Sequence, residues 1–158
     1  MIDCKDTTKV RIQDILFETT ADGEGLRTSI YFQGCRHYCK GCHNQQTWDM
    51  NGGYEVTIDY LLDLIKDDEF ADVTFTGGDP LYQCDAATEL AKRIKAETAK
   101  TIWCYTGFTC EEVLAMPKLS QILPYIDVLV DGPFIEELKT DEIPFVGSKN
   151  QRKIKLNG

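Results

Sequence analysis

"DVTFTGGDPLYQCDAATELAKRIKAETAKTIWCYT", residues 72–106, decides the fold. Residues 72–76 are short, β-branched and aromatic, as a buried strand is. Residues 85–98 then set Ala87, Leu90, Ala91 and Ile94 on one face at helical spacing. Residues 101–106 return to strand composition. Strand, helix, strand in this order implies a right-handed crossover and neighbouring parallel strands.

The same alternation continues on both sides. Upstream, residues 10–15 and 27–33 read as strands separated by the turn-forming stretch 20–25. Residues 57–66 carry Ile58, Leu61, Leu62 and Ile65 at helical spacing, with Thr57 as N-cap. Downstream, Thr109 and Glu112 have the capping-box spacing of a short helix that ends near Pro117. Residues 126–130 and 152–156 read as the last strands. The expected fold is α/β: one open, partial (β/α) barrel with a mainly parallel, curved sheet of about five or six strands. A full eight-fold barrel needs roughly 200 residues or more, and this chain has 158. No repeat or long linker divides it, so residues 1–158 read as one domain. In such folds ligands sit at the carboxyl ends of the strands.

Lys plus Arg number 17 and Asp plus Glu 26, a net charge of −9. That sign argues against a nucleic-acid partner held through phosphates. Lys149, Arg152, Lys153 and Lys155 form a local basic patch that reads as a solvated strand edge. The first ten residues are polar, with no apolar core of a signal peptide, and no apolar run is long enough to span a bilayer. Seven cysteines suit metal ligation in a reducing compartment better than a disulfide framework, so the expected location is cytoplasmic, without a membrane partner.

Three of those cysteines, Cys35, Cys39 and Cys42, fall within "GCRHYCKGCHN", residues 34–44, directly after a strand. Thiolates suit soft metals. A closed zinc site would take these three and His43, yet Cys42 and His43 are adjacent and reach one tetrahedral ion with difficulty. An iron–sulfur cluster on three cysteines would leave one iron without a protein ligand. Three unligated buried thiols are the remaining reading.

The Cys-x3-Cys-x2-Cys spacing resembles the signature of the radical S-adenosylmethionine (SAM) superfamily. "DGEGLRTSIYFQGC" (22–35), "CHNQQTW" (42–48), "TGGDPL" (76–81), "VDGPF" (130–134) and "GSKNQR" (147–152) narrow the likeness to proteins that activate glycyl-radical enzymes. Together with the short chain they resemble the activating-protein family of anaerobic ribonucleotide reductases. The likeness runs from about residue 10 to 155.

The resemblance implies an enzyme with two cofactors. A 4Fe–4S cluster would sit on Cys35, Cys39 and Cys42, and SAM would chelate its open iron. A one-electron donor such as flavodoxin would reduce the cluster. SAM would then break into methionine and a 5′-deoxyadenosyl radical, which would take a hydrogen atom from a glycine of the reductase. No catalytic side chain beyond cluster and SAM is implied. The resemblance assigns the SAM ammonium to the Gly77–Gly78 segment with Asp79 as charge complement, and Asp131 to the ribose or a cation. Many relatives carry an aromatic residue before the third cysteine; here it is Gly41, so adenine would meet backbone at Gly41, Cys42 and His43. A different glycyl-radical enzyme as target, or a zinc-stabilised interaction domain, are the alternative readings. Arg27 reads as a surface ion pair, Trp48 and Trp103 as core or rim aromatics, and Cys104 as buried packing. Cys84 reads as a residue that could face the site mouth, and Cys4 and Cys110 share no spacing with the others.

Overall fold

The computed structural model describes residues 8–37, 39–42 and 45–157. Cys4 and His43 lie outside these residues. Seven strands form one sheet among them: β1 (Lys9–Thr19), β2 (Arg27–Phe32), β3 (Tyr54–Thr57), β4 (Asp72–Gly77), β5 (Ile102–Tyr105), β6 (Val128–Asp131) and β7 (Arg152–Lys155), in the order β3-β1-β2-β4-β5-β6-β7. Helix α1 (Ile58–Asp67) joins β3 to β4, α2 (Cys84–Glu97) joins β4 to β5, and α3 (Cys110–Ala115) with α4 (Pro117–Ser120) joins β5 to β6.

Three pairings are parallel, β2–β4, β4–β5 and β5–β6, and three are antiparallel. The sheet is therefore mixed, not mainly parallel. Between β1 and β2 the reason is loop length. A parallel connection needs a crossover of a dozen or more residues, whereas residues 20–26 allow only a hairpin between β1 and β2. The count of seven exceeds the expected five or six because β3 escapes sequence reading. It has four residues, two of them exposed and one of them Glu55, so no alternation is visible.

Alternation along the inner strands sorts two faces. Ile30, Phe32, Val73, Phe75, Ile102, Cys104 and Leu129 face the helices and join Leu61, Leu62, Ile65, Leu90, Ala91, Ile94 and Val113 in the core. Thr57 caps α1 through the Tyr60 amide, and Thr109 and Glu112 close a complete capping box on α3. β7 is an edge strand on which Arg152, Lys153 and Lys155 are exposed, which accounts for the basic patch.

Candidate active site at the carboxyl ends of the strands

Strands β2, β4, β5 and β6 end at a cavity of about 390 Å³. Cys35, Cys39 and Cys42 line it from the loop after β2, and Gly77 and Gly78 from the loop after β4. Thr106 and Gly107 follow β5, and Gly132 follows β6. The long connection to β7 adds Phe134, Phe145 and Gln151. Gly77 has φ +105°, and a Cβ there would stand 2.4 Å from the Phe32 amide nitrogen. Only glycine lets β4 end so close to β2. The Gly78 amide then donates to the Phe32 carbonyl at 2.8 Å, and the Asp79 amide to the Gly34 carbonyl at 2.9 Å.

No disulfide engages the three loop cysteines. Burial pushes the Cys35 thiol up to about 11, against the opposing effect of the His37 N–H facing its sulfur. Burial also raises Cys39, whose sulfur accepts the Phe134 backbone N–H. Without metal these two are thiols at neutral pH, so loading must release protons.

The donor set fits a cluster. Among the described residues no three His, Cys, Asp or Glu side chains are gathered as a single ion requires. The three thiols wall one cavity, and thiolates are the ligands on which iron–sulfur clusters are held. Three other polar side chains on that wall already have partners. Asp22 accepts from the Tyr31 hydroxyl, His37 bonds Asp79, and the Gln151 amide holds the Gly147 amide and the Gly132 carbonyl. The Cys3His zinc set includes His43, outside the described residues.

Several expected residues stand elsewhere. Asp79 is buried and does not line the cavity; its carboxylate accepts from Leu81 N, Thr106 Oγ1, Gly107 N and His37 Nε2. Asp131 is also buried and off the cavity. It lies two residues after Leu129, so it shares the helix-facing side of β6. There it accepts from Cys110 N at 2.7 Å and from Arg152. Gly41 has φ +77° and sits under the Glu136 side chain, whose Cδ would be 3.0 Å from a Cβ at position 41. Arg27 is no surface ion pair. It is 2% exposed, bonds Thr74 Oγ1 and the carbonyls of Glu24, Val73 and Thr101, and lies over Trp103. Its place on β2, opposite the helix face, turns it under the sheet, and burial lowers its pKa. Trp103 and Cys104 are buried as expected. Cys84 opens α2 and packs against the core, and Cys110 opens α3; neither lines the cavity.

Sequence reading missed the His37–Asp79 pair and the wall supplied by Phe134, Phe145 and Gln151. The signal existed. "VDGPF" and "GSKNQR" were conspicuous motifs, and here they are stitched together: Asn150 Nδ2 donates to Pro133 O and Ser148 Oγ accepts from Ile135 N.

The family model described as "4Fe-4S single cluster domain" matches residues 21–154. The anaerobic ribonucleoside-triphosphate reductase-activating protein of Vibrio cholerae is 38% identical over 138 residues, 82% of this chain and 88% of that protein. Its namesake in Escherichia coli K12 is 35% identical over the same shares. That of phage T4 is 34% identical over 83% of this chain and 85% of its own. Among solved structures, QueE from Escherichia coli aligns with 64% of this chain and 54% of its own at 19% identity, with a TM-score of 0.48, a likeness too slight to build on. The chain covers most of three named relatives at more than 30% identity, and so it belongs to the anaerobic ribonucleoside-triphosphate reductase-activating protein family, with a 4Fe-4S single cluster domain.

Proposed function

We propose that this protein is a radical SAM activase that installs a glycyl radical on an anaerobic ribonucleotide reductase. One observation carries the reading. Three thiols line a cavity shared with the Gly77–Gly78 backbone, while Asp22, His37 and Gln151 beside them are already bonded. Cys35, Cys39 and Cys42 hold the 4Fe–4S cluster. Bound there and reduced by a one-electron donor such as flavodoxin, the cluster would supply the electron that breaks a carbon–sulfur bond of SAM into methionine and a 5′-deoxyadenosyl radical, the species that would take a hydrogen atom from one glycine Cα of the reductase.

The chain's own groups do the positioning. The His37 and Phe134 amides face the sulfurs of Cys35 and Cys39, where N–H donors tune a cluster's potential. Gly77 and Gly78 admit the amino-acid end of SAM to close backbone contact. Phe134 and Phe145 give the cavity an apolar wall that sheds water. The backbone at Gly41, Cys42 and His43 would receive adenine. Asp79 and Asp131, both engaged by protein donors, shape the site from behind rather than touch SAM. Residues 1–158 act as one domain whose sheet curves as a partial barrel, and the reductase's glycine loop completes its enclosure. Among the described residues no helix is long and apolar enough to cross a membrane, and with net charge −9 a cytoplasmic protein without nucleic-acid partner is the reading we hold.

Anaerobic reconstitution should give about four irons per chain, the content of one cubane. SAM and reductant should then release 5′-deoxyadenosine, and a cognate reductase should show a glycyl doublet by electron paramagnetic resonance. A reduced, loaded protein that leaves SAM intact refutes the activase. One zinc without iron or sulfide favours the interaction domain, and a doublet on another glycyl-radical enzyme alone moves the target.

A further inference from the structure

The geometry points to His37 and Asp79 as a positioning pair that holds the cysteine loop against the Gly77–Gly78 segment, setting the spacing between the sulfur wall and the backbone it faces. The inference rests on the function proposed above for this cavity. Asp79 has 0% exposure. Three of its donors belong to the frame: Leu81 N, Thr106 Oγ1 and Gly107 N, each at 2.9 Å. The fourth, His37 Nε2 at 2.6 Å, comes from between Cys35 and Cys39. One carboxylate thus ties together the ends of β2, β4 and β5.

The histidine is built into its place. Its ring meets Phe108 edge-on at 4.6 Å and Tyr82 at 5.3 Å between centroids. A Cβ on Gly107 would come within 2.5 Å of the His37 Cδ2, so glycine is what admits the ring. Gly34 O accepts the Asp79 amide, which anchors the loop's start. His37 anchors its middle, and its own amide faces the Cys35 sulfur. Both the Nε2-protonated neutral ring and the cation donate to Asp79, so the tether does not require a charge change. Neither side chain need touch a ligand. Their effect passes through the placement of the thiols, where a shift of about 1 Å is enough to spoil a reacting geometry.

Two measurements test the pair. In metal-free protein, trypsin cleavage after exposed Lys40 reports opening of the loop. His37→Ala should speed it about tenfold, the loss of one hydrogen bond to a charged acceptor. His37→Gln, whose amide N–H can reach Asp79, should stay within about threefold of the parent. In reconstituted protein, SAM is titrated against the spectrum of the reduced cluster. His37→Ala should keep its irons, since all three cysteines remain, yet require about tenfold more SAM, and His37→Gln should recover most of that. Parent-like loop cleavage in His37→Ala, or a Gln variant no better than Ala, overturns the pair. If His37→Ala does not fold, Thr106→Val decides, because it removes a donor to Asp79 outside the loop. Cleavage about threefold faster supports the tether and unchanged cleavage overturns it. Should the parent fail to bind SAM, the function falls, while the metal-free cleavage still judges the pair.

Discussion

Two strand ends carry a buried aspartate each, and they do different things. After β4, Asp79 turns toward neighbouring loops and gathers donors from three segments, one of them the cysteine loop. At the end of β6, Asp131 turns toward the helices, where it holds the Cys110 amide at the start of α3 and the side chain of Arg152 on the edge strand. Both are strand-end acids beside glycine or proline, and the family resemblance makes both of them ligand-facing where their residue types alone suit a turn. A carboxylate buried among protein donors is a structural hub, whatever motif surrounds it. What separates the two is reach. The Asp79 network includes His37, next to the thiols, and the Asp131 network runs out through Arg152, whose side chain is 49% exposed, to Glu111.

The largest effect belongs to the loop that only Asp79 reaches. Replacing Cys35, Cys39 or Cys42 by Ala should abolish SAM cleavage, read as 5′-deoxyadenosine by chromatography. Residual cleavage in any one of them would separate the loop from the chemistry. Next, Asp79→Ala should destabilise the metal-free protein by about 3 kcal/mol in urea unfolding, because buried donors lose their acceptor. Asp131→Ala should cost less, about 1–2 kcal/mol, through the stranded Cys110 amide, while Arg152 keeps its ion pair with Glu111. Its SAM titration should match the parent. A SAM defect at Asp131 with unchanged stability would restore the ribose contact and erase the contrast. Smallest is Cys110→Ala, expected within about 0.5 kcal/mol of the parent and with full SAM cleavage. In the parent protein Cys104, sealed in the core with its thiol pushed far up by burial, should resist alkylation at pH 8 that labels Cys110.

Much of the fold was legible. The strands at 27–33, 72–76 and 101–106, helices α1 and α2, and both caps lie where residue pattern puts them, because period and cap chemistry are local. β3 was not legible, being four residues held by pairing with β1 rather than by its own pattern. Antiparallel pairing at both margins was not read either, although the short 20–26 turn implied a hairpin. In the cavity, the cysteines and the glycine pair were visible as motifs. The direction of Asp131 could have been read by counting two residues from Leu129. That of Asp79 could not, because it lies past the strand, where period two no longer applies.

By itself the sequence determined the chemistry on offer. Three thiols closely spaced after a strand, and two glycines after the next parallel one, follow from residue identity and local periodicity. Only the tertiary structure decided which polar groups would face that chemistry and which would serve the frame. A buried carboxylate or guanidinium goes where enough partners converge, and those partners come from segments as far apart as His37 and Thr106 or Arg27 and Thr101.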